Sequence, residues 1–265
     1  MINRVVALKH SAENIGDDIQ RIGLASVLPE STVWIDRNDY NALMALQPED
    51  KLIVSGWFNR EQHHWYGNIK AKCLYIGFHC NERIETNAVI GCRGTHTLGL
   101  YENAWLSYCT SMLLPTSISK KNKNVVFCGV PDDARIPNKI SRCAITTTHC
   151  SDEIGLLAEE CRDIEAKRLL GIYAEAGLVI TSKLHCLLPC LVYGTPVVFY
   201  DGCVLETERI CGYENLYWTL ENCPWHLWWT NKDNSWKCIP PKVSSERILG
   251  MIQGMRASIQ KFIKL

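Results

Sequence analysis

Short runs of apolar, often β-branched residues alternate along this chain with longer segments whose apolar side chains recur at helical spacing. A parallel strand is buried on both faces and reads as a near-continuous apolar run, whereas a covering helix shows one apolar stripe. The alternation therefore predicts an α/β fold of parallel sheets covered by helices. In the first half the strand-like runs are Val5–Leu8, Thr32–Ile35, Leu52–Ser55, Leu74–Gly77 and Val89–Cys92. A helix is expected from Asp17, with Ile19, Ile22, Gly23 and Ser26 around its faces. In the second half strands are expected at Val125–Cys128, Cys143–Thr147, Leu178–Thr181 and Pro196–Tyr200. Between them a long helical stretch runs from Asp152 to about Ala176, with a break expected near Gly171.

The pattern lapses once, from Pro115 to Asn124, where Ser, Thr, Lys and Asn replace any apolar period. Such a segment reads as a linker. The expected organisation is an N-terminal Rossmann-like domain at 1–115, a linker at 116–124, and a C-terminal Rossmann-like domain at 125–265 that carries a terminal amphipathic helix. That helix, Ser244–Leu265, aligns Ile248, Leu249, Ile252, Met255, Ile259, Phe262 and Ile263 on one face. Arg247, Arg256, Lys261 and Lys264 lie opposite, so the helix fits peripheral contact with an anionic membrane surface. The preferred expectation is a closing helix packed across the two domains. No repeat of solenoid period is present.

The 265 residues suffice for two cores. Lys plus Arg total 28 and Asp plus Glu total 28, which removes the basic surplus expected of a non-specific nucleic-acid binder. The first apolar run ends at Lys9 and His10, too short for a secretory core, and no later run approaches the roughly 18 residues of a spanning helix, so a cytoplasmic location is expected. Fourteen cysteines, many inside apolar runs such as those of Cys73, Cys128 and Cys186, read as reduced buried thiols. No Cys-x-x-Cys pair occurs, and no metal site is expected.

Candidate chemistry concentrates at Thr181-Ser182-Lys183-Leu184-His185. Leu178–Thr181 reads as a buried strand and Leu184–Tyr193 as the following helix, with Ser182 as N-cap. Lys183 and His185 then fall in the first helical turn, where backbone N–H groups and the dipole favour an anion, at the end of a strand where open α/β sheets bind ligands. Pro189 cannot donate to the carbonyl of residue 185 and should loosen that turn. The plain structural alternatives are a solvated lysine and a satisfied histidine.

The run Ala176-Gly177-Leu178-Val179-Ile180-Thr181-Ser182-Lys183-Leu184-His185, continuing through Pro189 to Gly194-Thr195-Pro196-Val197-Val198, resembles the strand, Arg/Lys-Leu-His, helix, Gly-x-Pro signature of the polysaccharide pyruvyl transferase family. Asn14-Ile15-Gly16-Asp17-Asp18 resembles the family's N-terminal Asn-x-Gly-Asp turn, and Gly91-Cys92-Arg93-Gly94-Thr95-His96-Thr97 its Arg-containing turn at the end of the first domain. The resemblance implies a GT-B-like fold, two Rossmann-like domains facing across a cleft, and transfer of the enolpyruvyl unit of phosphoenolpyruvate to two hydroxyls of one sugar, in a cell-surface glycan or its lipid-linked precursor. Phosphoenolpyruvate is then a donor substrate and no cofactor is implied. The carried-over roles are acid–base catalysis by His185 and Asp17, and donor binding by Arg93, Lys183, Ser182 and Leu184. Asn14 and Asp18 would orient the acceptor; for both Asp17 and Asp18 the alternative is helix capping. The sequence departs from the family in having Lys183 where Arg is common, and Cys203 and Val204 where a basic residue is usual; Arg209 is the nearby substitute.

Trp57, Asn59, Arg60 and His63 follow a strand end and could line an acceptor site, as could His79; a loop pinned by its own aromatics is the alternative. The aromatic-rich stretch from Tyr213 to Trp236 is expected to be satellite core rather than a carbohydrate platform. The absence of Gly-x-x-x-x-Gly-Lys-Ser/Thr, His-Glu-x-x-His and Gly-x-Ser-x-Gly weighs against P-loop NTPases, zincins and serine hydrolases. Two rival expectations stand: a GT-B-type glycosyltransferase using a nucleotide sugar, and a non-catalytic glycan-binding relative.

Overall fold

A computed structural model describes residues 4–10, 14–58, 65–86, 88–116, 120–132, 134–142, 144–150, 156–200, 202, 210–223, 229–230, 235–236 and 245–264. The chain forms two α/β units, each built on a parallel sheet. One lies within Met1–Ala12, Gln20–Leu114 and Leu249–Leu265, the other within Glu13–Ile19 and Pro115–Ile248.

The first unit holds a six-stranded sheet in the order β2-β1-β3-β4-β5-β6: β1 Val5–Lys9, β2 Val33–Asp36, β3 Lys51–Phe58, β4 Lys72–Cys80, β5 Ile90–Cys92 and β6 Ala104–Leu106. Every pairing is parallel. The central strand β3 is buried almost throughout, while β2 at the edge is half-exposed, the contrast expected when only inner strands are covered on both faces. Phe58, Tyr66, Phe78 and Tyr75 join the core, with Phe58–Tyr66 and Tyr75–Phe78 meeting edge to face at centroid distances of 4.8 and 5.2 Å. Helix α1, Ile15–Ala25, follows β1.

The C-terminal helix, Ser245–Lys264, groups with this first unit from Leu249 onward. The sequence reading had assigned it to 125–265. Met251, Ile252, Met255 and Ile259 are buried, and Lys51 Nζ donates to the Ile263 carbonyl at 2.7 Å, a cation satisfying the last turn of a helix. Much of the apolar face is therefore covered by protein, and Leu249 is left exposed. No helix among the described residues is long and apolar enough to cross a membrane.

At the start of β1, Arg4 donates to both carboxylate oxygens of Asp50, at 2.9 and 2.7 Å. That hydrogen-bonded guanidinium holds Asp50 below its ordinary 3.8. A folded-state value lowered in this way contributes stability above the unfolded value and loses it as pH falls through the folded one. Because half of the Arg4 side chain is exposed, Arg4→Gln should cost no more than about 1 kcal/mol at pH 7, and the gap should narrow only as pH falls below 3.8 and through the lowered folded-state value of Asp50. Urea unfolding of both proteins from pH 7 down to about 2 measures it; a gap that persists unchanged at the acid end would show that the ion pair is not its source.

The second unit holds a five-stranded parallel sheet in the order β11-β10-β9-β7-β8: β7 Val125–Cys128, β8 Ala144–Thr147, β9 Leu178–Thr181, β10 Val197–Phe199 and β11 Trp218–Thr219. The first strand of the unit, β7, thus lies between its second and third. Its helices include Glu159–Glu175 and Leu184–Val192. The first of these runs unbroken through Gly171, correcting the break expected there; one glycine costs a helix about 1 kcal/mol, which the burial of Leu169, Leu170 and Tyr173 outweighs.

Part of the polar segment after Pro115 is bonded to the second unit. Lys121 Nζ donates to Ala174 O, Tyr193 O and Thr195 Oγ1 at 2.6, 3.0 and 2.6 Å, so one ammonium closes the C-terminal ends of both helices. In the aromatic-rich stretch, Tyr213 and Tyr217 are buried, and Trp218 packs on the core beside Cys223. Trp229–Thr230 pairs antiparallel with Ser235–Trp236, while Trp225 and Trp228 lie outside the described residues.

Candidate functional site

Strand β9 is fully buried, and its polar last residue turns the chain. Thr181 Oγ1 donates to Cys128 O at 2.9 Å and accepts from Lys183 N at 2.9 Å. Ser182 Oγ donates to Gly129 O at 2.6 Å. The expectation that Ser182 caps the helix is corrected: its hydroxyl is committed to β7's C-terminal loop, and the N-cap is Lys183, in extended conformation and without a side-chain cap bond. Lys183 therefore precedes the first turn, Leu184 opens it with its side chain in the core, and His185 is the second helical residue.

Gly129 makes the close approach of β7 and β9 workable. Its φ is +64°, and a Cβ there would lie 2.5 Å from Lys183 Cε and 3.0 Å from Ser182 Oγ. The lysine stem lies across this glycine, at the C-terminal ends of the two strands between which the sheet's winding reverses. Open α/β sheets bind ligands at that edge and that crossover.

A second helix start reaches the same place. Asn14 forms an antiparallel bridge with Cys150, Ile15 N donates to His149 O at 2.9 Å, and Asn14 Oδ1 accepts from Gly16 N at 2.8 Å. Asn14 thus caps α1, which begins at Ile15 rather than at the expected Asp17. A Cβ on Gly16 would lie 2.6 Å from His185 Nδ1 and 2.9 Å from Asn14 Oδ1. The imidazole is seated on the bare backbone of the first turn of α1, and Asp17, the next residue of that turn, is half-exposed. Two helix N-termini meet at one histidine.

Asp18 is buried and paired with Arg162, Oδ2 to Nε 3.4 Å. Arg162 was missed in the sequence, although a signal exists. It starts the buried face Arg162, Ala166, Leu169, Leu170, Tyr173 of Glu159–Glu175, and a charge on an apolar stripe needs a partner. His149, also missed, is buried after β8, with Nε2 2.9 Å from Tyr173 OH; that hydroxyl donates to Cys128 Sγ at 3.3 Å. A hydrogen bond with Cys186 and burial push the Cys128 thiol up to about 12, and burial raises Cys186 as well. These thiols beneath the site stay protonated near neutrality and are poor nucleophiles. The described cysteines are free thiols; Cys128 and Cys186 are buried as expected, whereas Cys73 is half-buried and Cys150 and Cys161 are exposed. Among the described residues no group of three or more His, Cys, Asp or Glu is placed to hold a metal.

In the first unit the register aligns Trp57 with His79 and Phe78 with Cys92, and Arg93 N donates to Phe78 O at 2.7 Å. Trp57, His79 and Arg93 therefore occupy one row at the C-terminal edge of that sheet. His79 and Arg93 are buried. His79 Nδ1 is 2.8 Å from Thr97 Oγ1, whose proton goes to Cys80 O at 3.2 Å, an arrangement that leaves Nδ1 as the donor. Asn59, Arg60, His63, Cys203, Val204 and Arg209 lie outside the described residues.

No family model and no curated protein matches the chain. Among solved structures, the chain is similar to the crystal structure of a functionally uncharacterized protein, KP1_0663, from Klebsiella pneumoniae subsp. pneumoniae NTUH-K2044, at 15% identity and a TM-score of 0.48, over 80% of this chain and 88% of that one.

Proposed function

We propose that this protein is a ketal-forming transferase that moves the enolpyruvyl unit of phosphoenolpyruvate onto two hydroxyls of one sugar, in a cell-surface glycan or its lipid-linked precursor. The observation that carries the reading is the seating of His185 against Gly16 at the meeting of two helix starts, with Lys183 lying over Gly129. The reaction needs a group that can move protons near neutrality, a cation, and N–H dipoles facing the anionic donor. His185, Lys183 and the start of the helix they open are the groups we assign to these three needs. In the reaction C3 of the enol phosphate gains a proton while one sugar hydroxyl loses its own and bonds to C2. The second hydroxyl then loses its proton and bonds to C2 as the C2–O bond to phosphate breaks, and that proton leaves on the released inorganic phosphate. His185 exchanges the proton, and Lys183 bears on the donor's negative groups. The reading carries with it a GT-B-type pairing of domains and a cytoplasmic site of action.

The test is donor choice. Purified protein given sugar acceptors should release phosphate from phosphoenolpyruvate in an acceptor-dependent way, and Lys183→Ala should raise the donor KM roughly tenfold, the loss of a charge-assisted contact. Sugar transfer from a nucleotide sugar with phosphoenolpyruvate untouched would replace this reading with glycosyl transfer. Glycan binding with neither reaction would replace it with a binding role.

A further inference from the structure

Three residues of the first unit, Gln20, Arg37 and Gly56, meet where the sheet's winding reverses, at the C-terminal ends of β1, β2 and β3. Gly56, near the end of β3, has φ +112°, and the pairing of β3 with β4 shifts register between Val54 and Gly56. A Cβ at Gly56 would lie 3.2 Å from Arg37 Nη1 and 3.8 Å from Gln20 Nε2. Arg37 follows β2, its N–H donating to Lys9 O at 2.9 Å, and its guanidinium lies 5.7 Å from the centre of the Phe58 ring. Gln20 comes from α1. Both polar side chains are only 5% exposed. Gln20 Oε1 is buried and has no hydrogen-bond partner among the described residues. A buried carbonyl oxygen left in this way is costly, and in native proteins such a group is usually met by water or a ligand.

We propose that Gln20, Arg37 and Gly56 form a sugar-hydroxyl subsite, in which a hydroxyl accepts from Arg37 Nη1 and donates its own proton to Gln20 Oε1. The donor requirement narrows the ligand class. A carboxylate could accept from Arg37 but has no proton for Gln20, whereas a pyranose hydroxyl does both; hydrogen phosphate and water can do so too, and the acceptor chemistry of the proposed reaction selects the sugar among them. The glycine matters because any side chain at 56 would stand against the guanidinium. The guanidinium also lies over the Phe58 ring, a favourable cation–π position. The subsite deepens the transferase reading by placing acceptor recognition in the first unit, and it rests on that reading for the choice of a sugar as the hydroxyl's source.

Gln20→Met removes the orphaned oxygen while keeping the shape of the side chain. In ligand-free protein it should raise Tm by roughly 2–4 °C, because nothing polar is left unsatisfied. Saturation-transfer NMR with methyl α-mannopyranoside, methyl β-galactopyranoside and methyl β-glucopyranoside, without phosphoenolpyruvate, should show binding to the wild type and at least tenfold weaker binding to the variant. Arg37→Lys, which keeps the charge and loses the fork, should weaken the same glycosides tenfold and serves if Gln20→Met fails to fold. No glycoside binding to the wild type overturns the subsite, as does equal binding by both variants; a higher Tm with unchanged binding shows that only water meets Gln20. Sugar binding that depends on Gln20 without phosphate release would leave the subsite standing and sink pyruvyl transfer. Phosphate release with an acceptor KM unaltered in Gln20→Met would do the reverse.

Discussion

His185→Ala is expected to lower turnover by about 10²–10⁴-fold at saturating phosphoenolpyruvate and acceptor, the range for loss of a general acid–base group, with folding unchanged. The imidazole is half-buried and rests on Gly16, so its removal opens a small space over that glycine. His185→Gln retains a hydrogen-bonding shape but cannot titrate near neutrality, so it should recover little. A binding role predicts the opposite pattern, a raised donor KM with turnover kept. Phosphate release measured for the wild type and both variants separates the two. Gly16 provides an independent arm: in Gly16→Ala the new Cβ would displace the ring, and small misplacements of a catalytic group cost up to about 10²-fold. Near-wild-type turnover in His185→Gln would put the chemistry on another residue.

The largest expected effect on stability comes from Arg162→Met. Arg162 and Asp18 are both buried, and removing one partner of a buried ion pair leaves an uncompensated charge, at a cost of about 3–5 kcal/mol. For a chain of this size that corresponds to a Tm loss of roughly 6–20 °C. The companion double variant Arg162→Met/Asp18→Leu should recover most of it, because the stranded carboxylate is then gone. Thermal unfolding of the two variants, each alone and combined, gives the coupling. Additive losses would show that the pair does not hold the start of α1 in the second unit.

Much of the fold was legible locally. Val125–Cys128 and Leu178–Thr181 are strands within the expected bounds, because an apolar β-branched run buried on both faces has one economical conformation. Short edge elements were missed: Ala104–Leu106 and Trp218–Thr219 carry little pattern in so few residues, and the neighbouring strand supplies their order. The continuity of Glu159–Glu175 through Gly171 was misread for a related reason, since propensity counts one residue and packing counts the whole face.

At the candidate site, residue types and their order along β9 and the following helix were enough to single out Lys183 and His185, because a strand end followed by a helix start confers the same N–H groups and dipole wherever it occurs. What only the tertiary structure decided is who meets them. It placed Gly16 and Asn14 against the imidazole, gave the Ser182 hydroxyl to Gly129 instead of the helix cap, and joined Asp18 to Arg162 across 144 residues of chain (162 − 18). The sequence by itself determined the α/β alternation and singled out the segment proposed to carry the chemistry, since apolar period, caps and turns act over a few residues. Partner choice, the reversal of winding at β7 and β9, and the grouping of the last helix with the first unit depend on contacts between segments far apart in the chain, whose closure no local pattern encodes.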